Sequence, residues 1–178
     1  MIALFFRGII LENLTLFNNE IKIYDINYEY RKYLYQFDRK VSLKHNRRFS
    51  GIVIVMDDIH YFIPLTSHPL RKNGKRRNPR TTIEIYNESK ELIAALLINN
   101  MIPVPNNEYH LVNIFNDKDK DYLNSEAIYL RKERVQNEIL RKVKNVREAV
   151  LLRKDPFMIN FCCNFSLLEQ EMIKWHNK

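Results

Sequence analysis

Thr66, Ser67, His68, Arg71 and Lys72 set two hydroxyls, an imidazole and two cations within seven positions. Hydroxyl and cationic donors together complement the extra negative charge of a pentacoordinate phosphorane, so this set suits work on a phosphodiester. The same residues also suit an ordinary Ser/Thr turn closing a strand, and residue type alone leaves both readings open. Four tyrosines, Tyr28, Tyr30, Tyr33 and Tyr35, crowd one short segment, and tyrosine rings stack on bases or donate to phosphates. Tyr33 and Phe37 are spaced i, i+4 and are expected in the core; Tyr30, three residues before Tyr33, fits either the core or a surface. His45, His60, His68, His110 and His176 show neither HxxxH nor HExxH spacing, and the P-loop, GxGxxG and GxSxG signatures are all missing.

The elements that position these groups follow from periodicity. Residues 21–26 alternate as a half-buried strand, and Asn27 can cap a helix running through Tyr30, Tyr33, Leu34 and Phe37. Residues 49–56 form a β-branched run, Asp57-Asp58 marks a turn, and residues 60–65 read as the return strand of a hairpin. Residues 68–80 lose all apolar pattern and carry Arg71, Lys72, Lys75, Arg76, Arg77 and Arg80 around Asn73-Gly74, an exposed basic loop. Strands are expected at 81–86, in the apolar run 92–98, at the proline-flanked edge 101–104 and near 109–115. Over 125–154 the period becomes helical, with room for one break, Val135, Ile139, Val143, Val146 and Val150 falling on one face and Arg134, Arg141, Lys144 and Arg147 assigned to the other. Pro156 is expected to end this helix, and Ser166 with Glu169 to open the last one as a capping box. The sum is an α+β domain, a mostly antiparallel sheet followed by helices gathered toward the C-terminus.

Composition narrows the partners. A chain of 178 residues with 46% hydrophobic content supports a single cored domain, and 3 glycines leave little room for a linker. The 29 Lys and Arg against 21 Asp and Glu give a net charge of +8, which favours nucleic acid or another anionic surface. The two cysteines, Cys162 and Cys163, are adjacent, which disfavours an unstrained disulfide; without CxxC or Cys/His spacing they read as buried thiols in a reducing cytoplasm, and no metal or other cofactor is expected. The apolar clusters before residue 16 are broken by Arg7, Glu12 and asparagines short of a membrane span, and they lack the basic start and small-residue cleavage site of a signal peptide.

In this order the motifs resemble the ToxN/AbiQ family of type III toxin–antitoxin systems. The resemblance is carried by Ile23-Tyr24-Asp25-Ile26, Tyr30-Arg31-Lys32-Tyr33-Leu34 with Phe37-Asp38, Phe49-Ser50-Gly51-Ile52-Val53, Tyr61-Phe62-Ile63-Pro64-Leu65-Thr66-Ser67, Met101-Ile102-Pro103-Val104, and Phe161-Cys162-Cys163-Asn164-Phe165-Ser166 with Leu168-Glu169. It runs from about Ile21 to about Lys174 and sets residues 1–20 apart as an N-terminal extension, either genuine, translated from an upstream start or weakly ordered, before one domain over 21–178. It implies a compact, twisted, barrel-like antiparallel sheet similar to the Kid and MazF toxins. It also implies a metal-independent endoribonuclease, in which the substrate's 2′-hydroxyl attacks the adjacent phosphorus to leave a 2′,3′-cyclic phosphate and a 5′-hydroxyl. The implied partners are a pseudoknot RNA antitoxin, processed and bound in a cyclic protein–RNA assembly, and cellular and phage RNA substrates, with no membrane or DNA.

On the matching positions the resemblance places Thr66 and Ser67 at the scissile phosphate with Tyr30 nearby. The family pattern commonly has a lysine two residues after the serine, as in TSPK, whereas Ser67 is followed here by His68-Pro69-Leu70. Arg71 or Lys72 is then expected to supply the charge, with His68 assisting. Lys44, Arg47, Arg48, Lys75, Arg76, Arg77, Arg80, Arg134, Arg141 and Lys144 are the expected RNA contacts. A non-catalytic RNA-binding protein is the competing reading, and a DNA-binding regulator is disfavoured because no helix-turn-helix or basic-zipper pattern occurs.

Overall fold

The structure, a computed structural model, describes residues 13–43 and 49–176. Its centre is one hairpin. The β-branched run forms β3 (Ser50–Met56), Asp57 and Asp58 take positive φ of 46° and 69° to turn the chain, and β4 (Ile59–Thr66) returns with Ile52 opposite Ile63 and Ile54 opposite Tyr61. Both acidic residues tolerate the left-handed region better than bulkier side chains, which is why this pair can make so tight a turn.

Each outer edge of the hairpin is paired by an interrupted strand. On the β3 side β1 (Leu14–Leu16) covers Ile54 to Met56, and β2 (Tyr24–Ile26) covers Ser50 and Gly51. On the β4 side β7 (Ile102–Pro103) covers Tyr61 and Phe62; β6 (Leu92–Leu97) reaches Leu65 and Thr66, with the 3-10 turn Ile98–Asn100 between them. β5 (Thr82–Tyr86) extends the sheet beyond β6, and β8 (Tyr109–Leu111) extends it beyond β2. The eight strands run β5-β6-β4-β3-β2-β8 with β1 and β7 off that path, so the expected barrel-like sheet is open. Its β5 edge is covered by α2 (Lys120–Leu130) and by Lys142, whose Nζ donates to the Thr82 carbonyl at 2.8 Å. Of the residues before Ile21, β1 and the buried Leu16 join this sheet.

Asn27 caps α1 (Tyr28–Phe37) as its side chain accepts from the Glu29 N–H at 3.1 Å. Beyond α2, α3 (Glu133–Leu151) buries Val135, Ile139, Val143, Val146 and Val150, as the spacing predicts. Four local expectations are corrected. The helical region starts earlier, at Lys120, while its one break, after Leu130, is as expected. Pro156 does not end a helix but opens α4 (Pro156–Phe161), since a proline fits the first turn and Asp155 caps it through Phe157 N–H at 3.0 Å. α5 (Phe165–His176) is capped by Asn164, which accepts from Leu167 N–H at 3.3 Å, rather than by Ser166. Phe37 is 42% exposed, while its partner Tyr33 is buried.

A fourth-residue step from Val143 also puts Arg147 on the apolar stripe, not on the solvated face assigned to it. Arg147 is 3% exposed and donates to Glu169 at 3.0 Å and to the Tyr61 hydroxyl at 3.3 Å; Tyr61 in turn donates to Glu169. α3, β4 and α5 are thereby locked by one charge. Among the described residues no helix is long and apolar enough to cross a membrane.

Removing one member of a buried pair strands the other, so Glu169→Ala is expected to cost about 3 kcal/mol, the low end for such pairs because Glu169 keeps some contact with water. The double variant Arg147→Met/Glu169→Ala is expected to recover most of that loss in urea denaturation; equal instability of single and double variants would refute the pairing as the cause. Glu126 on α2 offers a pH test. It is 2% exposed, and burial raises its carboxyl from 4.5 to about 7, against a smaller lowering by Tyr122. The Tyr122 hydroxyl already donates to the Ile93 carbonyl at 3.0 Å, so it is suited to accept from a protonated Glu126. The folded chain thus holds a proton that the unfolded chain releases between 4.5 and about 7, and stability falls as pH rises through that window. Glu126→Gln is therefore expected to be more stable than the parent near pH 8, by up to about 3 kcal/mol, with the advantage gone near pH 4. A pH-independent difference in denaturation midpoints would contradict this.

Candidate active site

β4 loses β3 after Pro64, opposite Gly51, and its last two residues are held by β6 alone. The approach there is close: a Cβ on Gly51 would lie 2.3 Å from the Ile63 carbonyl oxygen and 2.6 Å from the Phe62 ring, which only glycine permits. Phe62 then stacks on Phe49 at 5.8 Å, and the Arg31 guanidinium lies 4.1 Å over Phe49. This packing fixes the end of β4, from which Thr66 and Ser67 emerge.

Thr66 is buried and Ser67 exposed. Thr66 Oγ1 accepts from His68 N–H at 3.2 Å, the ordinary Ser/Thr turn, and this turn brings His68 Nδ1 to 3.3 Å from Ser67 Oγ. The ordinary turn is the reading seen here, and it sets an exposed hydroxyl beside an imidazole. Beyond it the loop closes on itself. Leu70 bridges to Arg76, Arg71 N–H donates to the Lys75 carbonyl at 2.8 Å, and Gly74 supplies a φ of 75°. Arg77 ties this small hairpin to the turn, with Nε and Nη2 both donating to the His68 carbonyl at 3.2 and 2.9 Å. Burial, then the charge of Arg71, lowers the Arg77 pKa. Arg71 and Lys72 are both exposed on the hairpin.

Tyr30 does not join this group. It is fully buried, its hydroxyl donates to the Pro103 carbonyl at 2.7 Å, and its ring meets Trp175 edge-on at 5.6 Å. Pro103 pairs with Tyr61, and the five residues from there to Thr66 span about 16 Å of extended strand. Burial first, then Glu108 and Tyr33, push the Tyr30 phenol far above its ordinary pKa. These contacts seat α1 on β7.

The expected RNA contacts divide. Lys44, Arg47 and Arg48 lie outside the described residues. Lys75, Arg134 and Arg141 are exposed, Arg76 is paired with Glu84 at 3.1 Å, and Lys144 lies 4.0 Å from Glu148. Arg77 is turned inward on His68 instead. Arg80 pairs with Asp155 at 3.1 Å and, with Arg141, lines a cleft of about 620 Å³. Lys142 and Arg153, neither singled out by sequence, line the same cleft; Lys142 lies on the flank of the valine stripe, one residue before Val143, where a two-face division of the helix does not flag it. Cys162 and Cys163 are free and buried, and burial pushes their thiols up, Cys162 to about 11, so neither is a nucleophile. Among the described residues no three His, Cys, Asp or Glu side chains gather as a metal site.

The separated sequence blocks meet in space. Asp38 accepts from Asn164 N–H at 2.7 Å, Lys40 donates to the Cys162 carbonyl at 2.7 Å, and Tyr33 donates to Glu171 at 2.8 Å. Known proteins share this frame. Endoribonuclease ToxN of Bacillus thuringiensis subsp. kurstaki is 30% identical over 162 residues, covering 84% of this chain and 81% of that protein. Endoribonuclease AbiQ of Lactococcus lactis subsp. lactis is 27% identical over 172 residues, 89% of this chain and 91% of that one. A solved structure from work on selective toxin inhibition by a non-coding RNA pseudoknot in type III toxin–antitoxin systems superposes with a TM-score of 0.76 at 28% identity, over 89% of this chain and 99% of that one. The structure of AbiQ, a lactococcal anti-phage endoribonuclease, gives 0.75 at 24% identity with the same coverage. The family model for toxin ToxN of type III toxin–antitoxin systems matches residues 22–173, and this chain belongs to that family.

Proposed function

We propose that this chain is a toxin endoribonuclease of a type III toxin–antitoxin system, cutting RNA without a metal and held in check by a pseudoknot RNA that it processes and binds in a cyclic assembly. Cellular and phage RNA in the cytoplasm are its targets. The observation that carries the chemistry is the exposed Ser67 hydroxyl beside His68 at the end of β4, in a chain whose curated relatives are named endoribonucleases. His68 takes the proton from the 2′-hydroxyl, whose oxygen attacks the adjacent phosphorus. The P–O5′ bond breaks as P–O2′ forms, and the leaving 5′-oxygen takes up a proton to become the 5′-hydroxyl. Ser67 and Thr66 donate to the phosphorane oxygens, and Arg71 or Lys72 neutralises the added charge where the family pattern has a lysine. Arg77 holds the His68 carbonyl with both arms of its fork, so it positions the imidazole rather than binding RNA. Arg80, Arg134, Arg141 and Lys144 supply the phosphate-binding surface.

Incubating the protein with RNA in EDTA is expected to leave cleavage intact and to yield cyclic-phosphate ends. Loss of cutting on chelation would overturn the metal-free mechanism, and tight binding without cutting would favour a non-catalytic RNA-binding protein. His68→Ala is expected to lower kcat about 100-fold. If alanine at His68, Arg71 and Lys72 each left cleavage untouched, the site assignment would be wrong. Arg77→Ala is expected to lower kcat about tenfold with KM and the salt dependence of RNA binding unchanged, and Arg77→Lys to restore only part of the rate, because an ammonium cannot fork onto one carbonyl. A raised KM with a shallower salt slope would return Arg77 to the phosphate-binding set.

A further inference from the structure

We propose that Phe157 and Phe161 on α4 form a stacking platform for unpaired RNA bases, beside the cleft that takes the phosphates; this rests on the RNA-binding reading above. Phe157 is 52% exposed, and its ring lies against Phe161 with centroids 5.4 Å apart and planes within 18°. Single exposed apolar side chains are common on protein surfaces, but a parallel aromatic pair with an open outer face is the geometry on which a base extends a stack.

The mount is rigid. Met158, next to Phe157 in the chain, is buried in the core, Asp155 caps the helix through Phe157 and Met158 N–H at 3.0 and 3.3 Å, and Lys40 holds the far end through the Cys162 and Ile159 carbonyls at 2.7 and 3.3 Å. A base landing on the pair therefore orders little protein. The same Asp155 pairs with Arg80, and Met158 forms part of the cleft wall with Arg80, Arg141, Lys142 and Arg153. Glu138 and Asp155 offset part of that charge, yet Arg141 has no ion pair among the described residues. One short helix thus presents π-faces on its outer side and borders a cationic cleft, the combination by which proteins hold single strands. Duplex RNA buries its base faces, so the ligand is an unpaired stretch. A second copy of this chain is a poor occupant, because it would bring like-charged clefts together in a protein of net charge +8. The loop that starts at Ser67 ends at Pro79 and Arg80 on the cleft wall, so a strand held there is connected by one protein segment to the cutting site.

Binding of a 2′-O-methyl oligoadenylate, which lacks the attacking hydroxyl, separates this from catalysis. In fluorescence anisotropy with the full chain, Phe157→Ser is expected to weaken binding about tenfold with an unchanged salt slope, and Phe157→Trp to match or exceed the parent through its larger face. Arg141→Gln is expected to make the salt slope shallower by about 0.7. A 2′-O-methyl duplex is expected not to distinguish Phe157→Ser from the parent. Parent-like affinity of Phe157→Ser in a protein that cuts RNA would overturn the platform and leave the ribonuclease reading intact. A parent that neither cuts nor binds RNA would overturn both. A change in oligomeric state in Phe157→Ser, without a change in affinity, would make this face a protein contact and overturn the proposal.

Discussion

Arg147 carries its charge where water barely reaches, and an unpaired guanidinium there would cost several kcal/mol. The requirement to pair it draws Tyr61 from the central hairpin and Glu169 from the last helix to one point. α3 is thereby fixed against the sheet, and with it the outward face that bears Arg134, Arg141 and Lys144. α5, fixed by the same contact, brings Trp175 onto Glu108 and Tyr33 onto Glu171, which seats α1. A packed apolar core would hold these elements together as well, but the ionic triad also sets which helix turn faces which strand residue.

The hairpin then passes this order outward to the site. Its two edges are each completed by a strand broken at a 3-10 turn, so β4 is paired along nearly all its length by partners that come and go. Where β3 has ended and only β6 remains, the chain is free to turn away from the sheet while still anchored at Thr66. The Ser67 hydroxyl thereby has rigid support behind it and open solvent in front. The Tyr30 phenol has the support without the opening.

Much of the fold was legible because it rests on local rules. Alternation marked β3 and β4, Asp57-Asp58 their turn, Asn27 the start of α1, and the valine stripe α3. The three-residue β1 was not, since Leu14–Leu16 is too short to show a period. Asn164 and Asp155 outcompeted Ser166 and the expected stop at Pro156 because a cap is decided by which side chain reaches the N–H, and both rivals sit within a few residues. Arg147 was misassigned by charge although its spacing placed it inside, and only a partner 22 residues away explains the discrepancy. In the site, Thr66, Ser67 and His68 could be read as a group because they are contiguous; the inward turn of Arg77 and the cleft residues Lys142 and Arg153 depend on contacts between elements.

The loop between Ser67 and Arg80 closes on its own hydrogen bonds and touches the reactive turn through one carbonyl. Its tip can therefore lengthen, shorten or exchange residues over generations while the sheet beneath is untouched. Such independence gives natural selection a place to move a positive charge along the chain without disturbing the strands. A surface whose contacts must change gains from being joined to its scaffold by so few bonds.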